Sequence, residues 1–420
     1  PPGAPLFMML GRVFAAFVPV QYAAIYINVL SALCSGFTIL FLFWSITAFA
    51  RKFAKDQLDN GRIIAILASG AIGALAYTFS DSFWFSAVEG EVYAMSSLFT
   101  AIVFWAILKW DSVADEPHST RWLVFIAYMM GLSIGVHLLN LLCIPAIAFV
   151  YYFRKFETTR KGVIYTFIIS VLILGIIQAG IIPGTVKLAS VFERIFVNGM
   201  GLPFNSGVLI YVILFVTAIV FGLRWSHRKA KPLYNTAILC LATILIGYST
   251  YAVITIRSNA NPVIDENNPE NVFSLLSYLN REQYGDRPLL YGQDWMAPLD
   301  PANPRKDGNP VYTAAYVVKD GTMDLQSFIT PFDAEQYIKK SGKTGLTVES
   351  QYIVSDPKKG AEYVYDPKFC RLFPRMYSAQ ESHISQYKYW SDFQGKPETS
   401  NGPRGSQTLM KPTFGENLTF

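Results

Sequence analysis

Two glutamates, Glu89 and Glu91, lie two residues apart in Ala87-Val88-Glu89-Gly90-Glu91-Val92-Tyr93, directly against a long apolar run. An acid at the centre of a membrane helix costs roughly 2.5–3.5 kcal/mol on insertion scales and less near the interface. Acids in such places usually line a bundle interior or a water-filled cavity, which makes them candidates for chemistry. The competing explanation is electrostatic, since a carboxylate in a first helical turn is favoured by ~0.3–1 kcal/mol. If both were helical they would point about 200° apart, so one would be catalytic or substrate-binding and the other a cap. His137 and Asn140 form a second group, in Gly131-Leu132-Ser133-Ile134-Gly135-Val136-His137-Leu138-Leu139-Asn140. A histidine there can donate to a phosphate or hold a carboxylate, or the pair can serve only local hydrogen bonding at a helix end. Arg257 closes the last apolar run beside Asn259 and Asn261. Its guanidinium can grip phosphate oxygens in bidentate fashion or simply snorkel to the interface. Lys187 and Arg194 carry a weaker form of the same argument. Trp84 and Phe85 read as interfacial aromatics, with sugar stacking as the other use of Trp84. Tyr93, beside Glu91, is a candidate substrate contact.

The elements that must position these residues are apolar runs. Eight occur: Tyr22–Ala50, Ile63–Phe79, Val92–Leu108, Trp122–Gly135, Leu138–Phe153, Val163–Ile182, Val208–Leu223 and Tyr234–Ile256. A hydrocarbon core about 30 Å thick needs about 20 such residues of helix. Runs without a period of two are helices, and helices satisfy their own backbone in lipid. Links alternate between basic and nearly uncharged. Arg51, Lys52, Lys55 and Arg62 follow the first run, Lys109 and Arg121 bracket the third link, Arg154, Lys155, Arg160 and Lys161 follow the fifth run, and Arg224, Arg228, Lys229 and Lys231 follow the seventh. Ser80–Glu91 and Val136–His137 have no Lys or Arg, and Pro183–Gly207 has only Lys187 and Arg194. The positive-inside rule puts the basic links in the cytoplasm and the others, with everything after Arg257, outside. It holds on every link only if the short fourth and fifth runs are separate spans. Gly131, Ser133 and Gly135 allow close helix packing in the fourth.

Composition agrees: the chain is 52% hydrophobic and 15% charged, with a mean hydropathy of +0.30. The net charge of +5 sits mostly in the basic links, and no basic stripe interleaved with aromatics suggests nucleic acid. Cys34, Cys143 and Cys240 fall in apolar runs and Cys370 outside them, a pattern of neither disulfides nor zinc. Pro1–Phe17 reads as a short helix begun by prolines, with an apolar face and one charge, Arg12. After Ser258 the chain turns polar. Pro269–Tyr284 predicts a helix capped by Asn268, Leu289–Tyr291, Val311–Val318 and Ala361–Tyr365 predict strands, and Asp333–Lys340 a short helix. Gln394–Phe420, dense in Gly, Pro and Ser, reads as a loop or a disordered tail. The expected division is a polytopic domain over 1–257 and an extracytoplasmic α+β domain over 258–420. The opening Pro1-Pro2-Gly3, without Met or signal peptide, suggests a piece of a longer chain.

The opening Pro1-Pro2-Gly3-Ala4-Pro5-Leu6-Phe7, the stretch Ser86–Ala94, the turn Gly131–Asn140 and the run Arg257–Asn271 together resemble a bacterial family of unknown function. Its eukaryotic relatives are the plexin-type protein O-mannosyltransferases. The resemblance implies a multi-spanning GT-C-like membrane fold and an inverting glycosyltransferase. The donor would be a polyprenyl-phosphate-linked sugar, with no other cofactor, and the acceptor a protein or glycan at the outer face. Membrane lipid would be a partner and nucleic acid would not. The place would be a bacterial inner membrane, with the C-terminal domain periplasmic. It also implies that the base lies upstream of Pro1, that Glu91 is a second acid lining the cavity with Glu89 beside it, and that Arg257 and His137 face the donor phosphate. Two other functions suit the same runs, a transporter or flippase of lipid-linked sugars and a non-catalytic scaffold. A transporter would be expected to show repeats and polar residues at the midplane, whereas here they cluster at the ends of the runs.

Overall fold

The computed structural model describes residues 3–54, 59–282, 288, 290–308, 310–356, 362–402 and 405–420. Lys55 of the first basic link, with Pro1, Pro2, Tyr284, Leu289 and Ala361, lies outside them. The chain forms two compact units, Pro1–Glu193 with Gly207–Leu279, and Arg194–Ser206 with Asn280–Phe420.

The first unit is helical. It comprises α1 (Pro5–Ala16), α2 (Ala23–Phe53), α3 (Asn60–Thr78), α4 (Asp81–Val88), α5 (Val92–Ser112), α6 (Thr120–Ile134), α7 (Ile144–Lys155), α8 (Arg160–Gly175), most of α9 (Ile182–Met200), α10 (Ser206–Arg228), α11 (Pro232–Tyr248), α12 (Ala252–Ser258) and α13 (Val272–Leu279). Among the described residues seven helical stretches are long and apolar enough to cross a membrane, and Thr120–Ile134 is shorter, with 15 residues. The starts are chemically marked. Asp59 caps α3 by accepting from the Arg62 N–H at 2.7 Å, and Thr159 caps α8 by accepting from Gly162 at 3.0 Å. Such caps satisfy donors that the helix cannot reach itself.

Lipid tails are as apolar as leucine, so close backbone approach and dispersion hold membrane helices together. Gly131 of α6 and Gly247 of α11 show this directly. A Cβ added at Gly131 would lie 2.4 Å from the Ile244 carbonyl oxygen, and one at Gly247 2.4 Å from the Leu132 nitrogen. Around this contact Val103, Ile107, Trp110, Ile126, Met130, Ile134, Leu141 and Tyr248 form the main core. Short α6 is therefore an interior helix, and its packing glycines are those singled out in the sequence.

Three expectations change here. The link Pro183–Gly207 is mostly helix: α8 runs through a π-helical turn, Ile176–Ile181, into α9. Pro183 lacks an N–H and crowds the carbonyl four residues back, and a widened turn absorbs that without ending the helix. The link Ser80–Glu91 contains α4. The helix expected over Pro269–Tyr284 is only Val272–Leu279, because Asn271, not Asn268, caps it. The Asn271 Oδ1 accepts from Phe273 and Ser274 at 3.0 and 3.1 Å, while Asn268 adopts a left-handed φ of 38°. The Ser258 hydroxyl donates to Asp265 at 2.7 Å, and Asn259 donates to the Glu270 carbonyl at 2.7 Å. These bonds fold the polar stretch back on the end of α12, so the units divide after Leu279 rather than at Ser258.

The second unit is α+β. Strands β1 (Tyr291–Gln293), β2 (Arg305–Lys306), β3 (Val311–Asp320), β4 (Met323–Phe328), β5 (Leu346–Asp356), β6 (Glu362–Tyr363), β7 (Cys370–Leu372), β8 (Lys396–Gly402) and β9 (Gly405–Lys411) accompany α14 (Pro331–Ser341), α15 (Glu381–Trp390) and α16 (Phe414–Thr419). Its main sheet has the order β4-β3-β5, all antiparallel. Phe204, from the segment 194–206, packs edge-on against Tyr316 and Tyr352 at 5.5 and 5.0 Å. The Asn198 side chain pairs with both backbone groups of Tyr352 at 2.8 and 2.9 Å. Gln394–Phe420 is a hairpin and a helix rather than a loop. Its anchor is Glu416, whose carboxylate accepts from Gln394, Gly395 and Thr413 in a capping box. Burial pushes Glu416 up, but the N–H groups of Gly395, Thr413 and Gln394 outweigh it and hold the acid at about 2.

Candidate functional site

The two ends of the helical unit can be told apart from contacts. At one end α2, α5 and α7 finish together. Lys52 pairs with Asp111, Arg154 with Asp115, and Lys155 with Asp115 at 3.2 Å. At the other end lie the start of α2, the start of α5 and the close of α6.

Glu89 and Glu91 sit at that second end, in the short link between α4 and α5. Neither is helical: Glu89 has φ −105° and ψ 142°, and Glu91, at the N-cap position of α5, has φ −119° and ψ 162°. The helical spacing expected of the pair does not apply, and Glu91 makes no side-chain cap bond. Both side chains are exposed. Gly90 lets the link press against α2, where an added Cβ would lie 3.0 Å from Asn28 Oδ1 and from Ile27.

His137 caps the 3-10 turn Leu138–Cys143. Its Nδ1 accepts from the Leu139 N–H at 3.1 Å, which puts the proton of the neutral ring on Nε2. The ring lies 5.6 Å from that of Tyr93, so the turn and the start of α5 face each other. Asn140, one turn on, is fully buried. Its amide donates to the Ser133 hydroxyl at 3.1 Å, and Ser133 donates to the Met130 carbonyl at 2.7 Å. Trp84 is exposed and stacks on Phe79 at 6.1 Å.

Arg257, in the last turn of α12, is exposed and lines a groove of about 390 Å³ with α1. Pro5, Leu6, Met9, Val13 and Ile254 form apolar walls, and Arg12 supplies a second guanidinium. The groove joins the other site residues through the backbone. The Leu6 N–H donates to the Gly135 carbonyl at 2.9 Å, two residues before His137. An added Cβ at Gly135 would meet Leu6 at 3.3 Å and the Thr250 hydroxyl at 2.4 Å. Glu89, Glu91, Tyr93, His137 and Arg257 thus gather at one end of the unit, while Arg257 alone of these lines the groove. Lys187 is exposed on α9, and Arg194 donates to the Tyr312 hydroxyl at 2.8 Å in the second unit.

In the sequence Arg12 stood out only as the one charge on the α1 face, and two buried acids were not marked at all. Glu193 accepts from the Val208 N–H at 3.0 Å at the start of α10, which suits a helix N-terminus. Asp294 is buried against Arg371 at 2.8 Å; burial pushes it up to about 6, with the arginine offsetting part of that. Their partners are far away in sequence, so no local signal marks them. Among the described residues no group of three or more His, Cys, Asp or Glu side chains is placed to hold a metal.

Residues 1–160 match the family model described as the protein O-mannosyl-transferase TMEM260 N-terminal domain. The chain is related to the protein O-mannosyl-transferases. That stretch holds Arg12, Trp84, Glu89, Glu91, Tyr93, His137 and Asn140, so the gathered end lies largely within the related region. A protein O-mannosyl-transferase tmem260 of Dictyostelium discoideum is 23% identical over 147 residues, covering 33% of this chain and 16% of that protein. The match thus spans about one sixth of the curated relative. Residues 326–420 match a second family model, DUF8416, a family of unknown function. No solved structure matches the chain.

Proposed function

We propose that this protein is a membrane glycosyltransferase that moves a sugar, mannose by its relation, from a polyprenyl-phosphate carrier to a hydroxyl of a protein or envelope glycan. The gathered end faces the non-cytoplasmic side, which in a bacterial cell means an inner membrane with the C-terminal unit in the periplasm. The groove between α1 and α12 carries the reading: apolar walls suit a prenyl chain, and Arg12 with Arg257 suits the phosphate that joins it to sugar. In a GT-C-type inverting step the acceptor oxygen bonds to the anomeric carbon as the bond to phosphate breaks. The acceptor proton passes to a carboxylate, and charge grows on the departing lipid phosphate. Guanidinium groups aimed at that charge lower the barrier. His137, with its proton on Nε2, is a donor for the same oxygens, and Tyr93 and Trp84 are faces for the sugar. The exposed Glu91 lines the acceptor side with Glu89 beside it, and the base itself is the upstream carboxylate that the resemblance implies.

The test is transfer from a lipid-linked sugar by the full-length protein in liposomes. Arg257→Ala should raise the donor KM and leave the acceptor KM alone. An unchanged donor KM would remove Arg257 from the site.

A further inference from the structure

A second recess lies at the opposite, basic end of the helical unit, and the proposed reaction does not use it. It has a volume of about 960 Å³ and opens between α2, α3 and α5, at the upper limit of ordinary small-molecule sites, about 300–1,000 Å³. Close packing elsewhere explains why it exists. An added Cβ at Gly70 would lie 2.5 Å from Thr47, and one at Gly73 2.7 Å from Ile46, so α3 touches α2 over those residues. Toward its own start, at Ile63 and Leu67, α3 lines the open recess instead. Trp44 and Trp105 form the back wall, with ring centroids 5.8 Å apart. Ile63, Leu67 and Trp44 are exposed on helices apolar enough to span a bilayer. The recess therefore opens toward hydrocarbon.

Its rim is basic. Arg51, Lys52 and Lys109 line it. The Lys109 ammonium lies 5.9 Å from the centre of the Trp105 ring. Lys52 pairs with Asp111, and among the described residues no carboxylate pairs with Arg51 or Lys109. Cations at the end of α2 are favoured by the helix dipole. That accounts for the charges but not for an apolar recess between them.

We propose that this recess holds an anionic phospholipid, its acyl chain against Trp44, Leu67 and Trp105 and its phosphate between Arg51 and Lys109. Basic pockets between membrane helices recognise anionic head groups in this way. The proposal does not rest on sugar transfer and concerns the other end of the unit.

The test is native mass spectrometry of the full-length protein released from bilayers of equal phosphatidylglycerol and phosphatidylcholine with identical chains. The wild type should retain phosphatidylglycerol over phosphatidylcholine by about tenfold, as expected for charge-assisted pairing. The double variant Arg51→Gln/Lys109→Gln should lose that preference, and Arg51→Lys/Lys109→Arg should keep it, which separates lost charge from lost folding. Leu67→Trp, which fills the recess and spares the charges, should also lose it. Equal retention of both lipids by the wild type, or a preference that survives the double variant and Leu67→Trp, overturns the proposal. Release as a lipid-free dimer would likewise overturn it, because a second copy would then cover the face.

Discussion

The two ends of the helical unit handle charge differently. At the basic end Lys52, Arg154 and Lys155 meet Asp111 and Asp115, so part of the charge is neutralised within the protein, while among the described residues Arg51 and Lys109 stay open at the recess. At the other end Arg12, Arg257, Glu89 and Glu91 are exposed, and among the described residues none joins an ion pair. Exposed pairs contribute about 0–1 kcal/mol to stability, so the difference is a weak guide to folding and a stronger one to function. Charges paired internally need nothing from outside. Those left open at a place where helices converge, beside an apolar groove, are set to meet a charged ligand.

That contrast can be broken by substitution. The largest effect is expected at Glu91. Glu91→Gln in the full-length protein should lower sugar transfer by up to about 100-fold, the upper end for a lost hydrogen bond to a charged group lining the acceptor side, with membrane insertion intact. Unchanged turnover of lipid-linked sugar would remove Glu91 from the site. Next come the groove arginines. Arg12→Ala and Arg257→Ala should each raise the donor KM about tenfold or more, since hydrogen bonds to charged groups contribute about 1.5–3 kcal/mol. Donor titrations at fixed acceptor measure this, and equal changes in both KM values would argue for general damage instead.

Smaller effects sharpen the comparison elsewhere. Replacing Glu416 by Gln should cost about 1 kcal/mol of local stability, as for a lost helix cap. Hydrogen exchange at the Gln394, Gly395 and Thr413 amides of the full chain reads it. Glu416 is held at about 2, against 4.5 for an ordinary glutamate. Its stabilisation is therefore complete above pH 4.5 and fades as pH falls toward 2, so wild type and variant should converge there. Asp294, pushed up to about 6 from 3.8, works in the other sense, its contribution declining as pH rises through that window. The smallest effect belongs to Asp115→Asn, which should shift stability by no more than about 1 kcal/mol and leave transfer unchanged. A large loss of transfer there would erase the distinction between the ends.

How much of this was legible in the sequence depended on the range of the interaction. Long uniform runs specify helices locally, so α2, α5 and α10 follow from counting residues. Gly131 was readable as a packing residue because small side chains have one main use between membrane helices. The alternation of basic links carried the relation between ends, since α2, α5 and α7 do finish together at the basic residues. Pro183 misled, because a proline usually stops a helix, and only the packed structure shows a π-helical turn absorbing it. The hairpin over 396–411 was hidden for a similar reason. Its Gly, Pro and Ser residues mask the strand pattern, and a cross-strand ladder with a distant carboxylate, Glu416, supplies what local propensity lacks. The candidate residues were chosen by type, but what Arg257 faces was not readable. The groove exists because α1 returns to α12 across more than two hundred positions, and no spacing rule reports that.

The central claim is that Glu91 and Arg257 meet water on one side of the membrane while Asp115 meets it on the other. Single cysteines at 91, 257 and 115, in a chain whose four native cysteines are replaced, can be labelled with a charged, membrane-impermeant maleimide on intact cells and on inverted vesicles. Positions 91 and 257 should react only from outside the cell and position 115 only from inside. Reaction of 91 and 115 from the same side, or of 257 only from the cytoplasm, would contradict the account.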